Sequence, residues 1–175
     1  MGKILSILII ALFALSSCSK KPDVKPIDHC AIENNSLAII KVDNVVYSKV
    51  ADMYATGAEK RNDNKILHSS SFNIIANREQ SMVSVSLISN SKNIGSGIYS
   101  LEAEKENSTV TFADAQGVKW SSKNGHQKGS AFEVINVETL NDGNYYQKAT
   151  VKISCFVYNQ TGAVKGITLY TDIKY

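Results

Sequence analysis

Tyr146–Tyr158 reads Tyr-Gln-Lys-Ala-Thr-Val-Lys-Ile-Ser-Cys-Phe-Val-Tyr, and its apolar residues recur at every second position. Successive side chains of an extended chain leave on opposite faces. Val151, Ile153, Cys155 and Val157 therefore share a buried face, while Phe156 and Tyr158 take the other. Ahead of this stretch, Ala131–Leu140 is separated from it by Asn141-Asp142-Gly143-Asn144, where Asp-Gly is a strong hairpin signal because both residues tolerate positive φ. Behind it, Thr161-Gly162 leads into Val164–Tyr175, which puts Ile167, Leu169, Thr171 and Ile173 on one side. The three segments predict an antiparallel meander.

The same pattern extends toward the N-terminus. Leu37–Val42 and Val45–Val50 flank Asp43-Asn44 as a hairpin, and Ser71–Ala76 pairs with Met82–Ser89, where Val83, Val85 and Leu87 alternate with Ser84, Ser86 and Ile88. Gly95-Ser96-Gly97 precedes Ile98–Leu101, and Thr109–Ala113 and Val118–Ser121 lie either side of Gln116-Gly117. Ala51–Lys65, with Gly57, mixed charges and Asn62-Asp63-Asn64, reads as a long loop, and Lys123–Gly129 as a polar surface loop. Nine or ten short strands without a sustained helical period predict an all-β domain, either an antiparallel β-sandwich or a partly open barrel.

Before the domain, Lys3 and the largely apolar run Ile4–Leu15 are too short for a bilayer span of about 20 residues but suit a signal-peptide core. Leu15-Ser16-Ser17-Cys18 resembles a bacterial lipobox, which implies cleavage before Cys18 and lipidation of that cysteine, palmitate included. Ser19–Pro26 carries charges and both prolines of the chain, the composition of an extended spacer. The expected division is signal peptide 1–17, lipidated cysteine and tether 18–35, and one β domain 36–175. That domain, about 140 residues, is large enough for a single core. Ser19 in place of aspartate resembles outer-membrane sorting patterns, which leaves the periplasmic and cell-surface faces both open.

The formal net charge of the whole chain is only +3, so neither nucleic acid nor an anionic membrane surface is an expected partner of the domain. Of three cysteines, Cys30 and Cys155 remain after lipidation of Cys18. A bond between them would close a loop of about 125 residues, worth about 5 kcal/mol in the chain-entropy picture. The other reading is two free thiols, Cys155 acting as a small core residue.

No catalytic pattern is present. There is no Gly-x-Ser-x-Gly, and Gly95-x-Gly97 lacks the third glycine and the helix that would meet a phosphate. His29, His68 and His126 lie far apart without metal-ligand spacing and read as surface residues. Glu138–Gly143 has Leu140 where a calcium loop needs an oxygen. Glu133 and Glu138, five apart on one strand, fall on opposite faces of a regular strand. No metal and no cofactor are expected. Aromatic residues supply the one binding hint. Phe156, Tyr158 and Tyr170 on outward faces, with Tyr145, Tyr146 and Trp120 near turns, form a candidate platform for sugar rings or a protein partner. Against it stands the ordinary use of strand aromatics as cross-strand pairs or as rings covered by a loop.

The lipobox, the charged tether, Ala38-Ile39-Ile40-Lys41-Val42-Asp43-Asn44-Val45-Val46-Tyr47, Gly97-Ile98-Tyr99-Ser100-Leu101 and Gly129-Ser130-Ala131-Phe132-Glu133-Val134 together resemble small Bacteroidota single-domain lipoproteins of uncharacterised function. The resemblance implies an antiparallel β fold at the cell envelope and supplies no active site. The sequence thus favours a non-enzymatic, lipid-anchored envelope protein binding a glycan or an envelope protein. The alternatives are a periplasmic immunity or inhibitor lipoprotein that neutralises a toxin or hydrolase and, further off, a hydrolase of envelope polymers.

Overall fold

A computed structural model describes residues 39–61, 63–102, 108–140 and 147–174, and only the backbone of 50–58. Ten strands follow in order: β1 Ile39–Val42, β2 Val45–Lys60, β3 Ile66–Ala76, β4 Glu79–Ser89, β5 Gly97–Tyr99, β6 Ser108–Ala113, β7 Lys119–Ser121, β8 Ala131–Thr139, β9 Gln147–Tyr158 and β10 Val164–Lys174. All pair antiparallel, in the order β10-β1-β2-β3-β4-β6-β7-β9-β8-β5, and β10 also pairs with β9. That last pairing turns the sheet into a ring. The all-β sandwich or partly open barrel expected from sequence is what the chain forms, and the ring of strands is called the barrel below.

The alternation in the sequence becomes the inside and outside of this barrel. Val151, Ile153, Cys155 and Val157 of β9 are fully buried, as are Ile167, Leu169 and Ile173 of β10, and they meet Ile40, Phe72, Val83, Val85, Leu87, Val110 and Phe132 in one core. Each fully buried aliphatic or aromatic side chain stabilises the fold by about 1.5–3 kcal/mol relative to exposure, so this interior is the main source of stability. Cys155 is a free thiol inside it, and burial pushes its ionisation up to about 12. It acts as a core residue; Cys30 lies outside the described residues, as does Cys18.

Three expectations are corrected. The predicted loop Ala51–Lys65 is mostly strand, because β2 runs unbroken to Lys60 against β3. Register shifts between Lys49 and Ala51, Asp52 and Tyr54, and Thr56 and Glu59 break its alternation, since every bulge resets which face a residue takes. A shift between Val134 and Asn136 in β8 likewise brings Glu133 and Glu138 onto the same, exposed outer face. His68 is not a surface residue: it is 1% exposed on the inner face of β3.

The ring closes at β9. One edge of β9 pairs with β10 from Lys148 to Tyr158. The other edge pairs with β8 only from Gln147 to Ser154, and with β7 only at Tyr158. Between them the backbone of Phe156 has no strand to bond, and a side chain takes the strand's place. Gln127 Oε1 accepts from Phe156 N at 3.3 Å while its Nε2 donates to Phe156 O at 2.8 Å, the pattern a neighbouring peptide unit would make. Nε2 also donates to Ser122 O at 2.7 Å, and Ser130 Oγ donates to Oε1 at 2.8 Å. The loop expected at 123–129 is therefore a strap held against β9 by a buried amide. Tyr158 lies under the same strap: its hydroxyl donates to His126 O at 2.7 Å, and a Cβ on Gly125 would stand 2.5 Å from its ring, so only glycine fits.

Two outcomes follow for stability, both measured as urea-unfolding midpoints. Gln127→Glu keeps the size of the side chain but sets a carboxylate oxygen against the carbonyls of Phe156 and Ser122, and it should cost about 3 kcal/mol or more. Arg78 occupies the β3–β4 turn with φ of 68° beside Asn77 at 52°, a left-handed conformation costly for a side chain. Arg78→Gly should stabilise by about 0.5–1 kcal/mol.

Candidate functional site

A groove of about 350 Å³ opens at the end of the barrel that carries the β3–β4, β6–β7 and β9–β10 turns. Its origin lies in side-chain size. Register places Met82, Ala113 and Lys119 side by side across β4, β6 and β7, and Thr111 beside Ser121 in the next row. Ala113, Thr111 and Ser121 are short, whereas Met82 and Lys119 flank them and Asn124 and Gln160 rise on the far side. A trough results, with Phe112 and Trp120 contributing to its lining.

The groove combines a mostly carbon surface with unused polar groups at its rim. Among the described residues the Gln160 amide, the Thr111 hydroxyl and the Lys119 ammonium make no bond to the protein. Asn124 uses only its Nδ2, which donates to Tyr158 O at 3.2 Å. Trp120 is 8% exposed and held on two sides: its Nε1 donates to Asp114 Oδ2 at 3.2 Å, and Lys165 Nζ stands 4.8 Å from the ring centroid and 3.7 Å from Asp43 Oδ2. Asp114 Oδ1 accepts from the backbone of Gln116 and Val118, so its carboxylate is consumed by the turn.

Of the aromatic residues singled out from sequence, Trp120 alone reaches this groove. The platform expected of the others is corrected. Phe156 does face outward from β9 but is 7% exposed, and Tyr158 is half-buried against Gly125 and His126. Tyr170 is half-buried on β10, between Ile39 and Lys152 in register and separate from the other two. Tyr145 and Tyr146 lie outside the described residues. The strap lies against Tyr158 because β9 needs its edge closed, a requirement that local sequence does not display.

No family model, curated protein or solved structure matches this chain. The functional reading therefore rests on the chain's own geometry. Among the described residues no three His, Cys, Asp or Glu side chains gather as a metal site.

The other polar cluster lies toward the opposite end of the barrel. Ser89 Oγ donates to Ser91 O, so the same oxygen accepts from His68 Nε2 at 2.9 Å, and Nε2 also lies 3.3 Å from Ser91 O. The proton thus sits on Nε2 of a neutral ring. Nearby, Gln147 Oε1 accepts from Ile94 N at 2.8 Å, so the segment after β4 is tied across the barrel by two buried side chains. Burial lowers the His68 ionisation below its ordinary 6.5 despite the bond to Ser91. The unfolded chain therefore takes up a proton that the folded chain refuses. Stability should fall as pH drops below 6.5 and level off beneath the folded-state value, and His68→Gln should remove that step in unfolding curves taken across this range.

Proposed function

We propose that this chain is a lipid-anchored envelope protein that binds a glycan in the groove beside Trp120 and performs no chemistry on it. The observation that carries this reading is the pairing of a carbon-lined trough with hydrogen-bonding groups that nothing in the protein uses. Sugar rings present that same combination, an apolar C–H face edged by hydroxyls. Amide, hydroxyl and ammonium side chains at Gln160, Asn124, Thr111 and Lys119 match those hydroxyls, while Met82 and Ala113 offer surface for the C–H face.

The anchor at Cys18, cleavage of 1–17 and residence in the outer membrane rest on the lipobox and tether. The immunity or inhibitor reading and the hydrolase reading gain no comparable support from any group of side chains described above.

Titration against a panel of envelope and host glycans by calorimetry or chemical-shift mapping tests the proposal. Gln160→Ala should weaken binding about three- to tenfold, the worth of one hydrogen bond. Ala113→Tyr, which fills the trough from the outer face of β6, should abolish it while unfolding midpoints stay near that of the parent. Binding that survives Ala113→Tyr unchanged, or shifts confined to the far end of the barrel, would sink this site.

A further inference from the structure

The side of the groove formed by β7 and the strap has a charge pattern that a neutral ligand does not require. From Ala115 to Phe132 there is no carboxylate, while Lys119, Lys123 and Lys128 are all exposed and make no ion pair among the described residues. Some lysines elsewhere are paired: Lys65 contacts Asp63 at 3.7 Å, Lys148 contacts Glu138 at 2.8 Å and Asp172 at 3.8 Å, and Lys165 contacts Asp43. Lys119 lines the groove, and Lys123 adjoins Asn124, which lines it too. Both lysines are fixed by short structured elements, β7 and the 3-10 turn Ser122–Asn124, whose first N–H groups are capped by Ser121 Oγ accepting from Lys123 N.

Asp114 keeps its charge but turns both oxygens to Trp120 and its own turn, and Glu79 begins β4 at the same end, while the β9–β10 turn contributes Asn159, Gln160 and Thr161 without charge. Lys119 in the trough and Lys123 next to its Asn124 wall, beside groups able to hydrogen-bond, call for a ligand with anionic and hydroxyl groups together.

We propose that the groove takes an acidic polysaccharide, a chain of sugars bearing carboxylate or sulfate, with Lys119 and Lys123 meeting its charges and Gln160 and Thr111 its hydroxyls. This rests on the glycan reading of the groove and narrows it. Because the lysines are exposed, attraction is screened by salt, and it contributes to encounter as much as to the bound state.

The test compares an oligogalacturonate with its fully methyl-esterified form and with a poly-glutamate peptide, each titrated against the intact mature protein at low and high salt. Expected are tighter binding of the acid than of the ester, weakening by salt, and a loss of about tenfold in the triple variant Lys119→Gln, Lys123→Gln, Lys128→Gln. The ester should be indifferent to those substitutions. Equal binding of acid and ester, with both abolished by Ala113→Tyr, would overturn the charge proposal and leave the glycan groove standing. Failure of both sugars to bind would overturn the two together. Poly-glutamate binding as tightly as oligogalacturonate would also overturn it, by showing a face for acidic protein. The triple variant changes only exposed side chains, so an unchanged unfolding midpoint separates lost binding from lost fold.

Discussion

The barrel depends on a bond that no strand makes. Phe156 N–H and C=O are buried between the end of β8 and the single bridge to β7, and without a partner each would carry the full desolvation cost of an unmet hydrogen bond. The Gln127 amide meets both, with donor and acceptor in the geometry of a peptide group. Everything on that side follows from it. The strap must lie close enough for Gln127 to reach, which brings Gly125 against Tyr158. It also places Asn124 where it becomes one wall of the groove. The one buried hydroxyl without a partner among the described residues, Ser154 Oγ, lies on β9 just below this seam, where the ladder to β8 ends.

Much of the fold was legible because the core strands β4, β9 and β10 are regular. In each, a two-residue period runs through most of the strand and selects the residues inside the barrel, although Ile88, Ser154 and Phe156 on the other face are buried as well. The period fails where bulges interrupt it. Nothing in Ala51–Lys60 shows a strand, since three register shifts in β2 leave no run long enough to reveal a face. The same effect in β8 moved Glu138 to the side of Glu133. His68 was misjudged for a different reason: its neighbours Ser69 and Ser70 are polar, and only the closure of the ring makes the inner face of β3 dry there.

The site was less legible than the fold. Trp120 was visible as an aromatic near a turn, but its neighbours in the groove are an alanine, a threonine and a serine brought together by register across three strands. Short side chains carry no signal along the chain, and a trough exists only once the longer ones stand beside them. Conversely, the aromatics that drew attention on β9 are used by the protein itself. The absence of carboxylates from Ala115 to Phe132 was present in the sequence all along, yet it acquires meaning only when the segment proves to be one side of a groove.

The pairing of β1 with β10 joins the two ends of the domain, and Asp43 meets Gly166 through hydrogen bonds in both directions, 123 residues apart in the chain. Such a contact carries a large loop-closure entropy and forms late. A chain that emerges N-terminus first holds β1 with an open edge until β10 is available. Closure then waits for β10, and the interval before it is when the exposed strand edges are most prone to pair wrongly with another molecule.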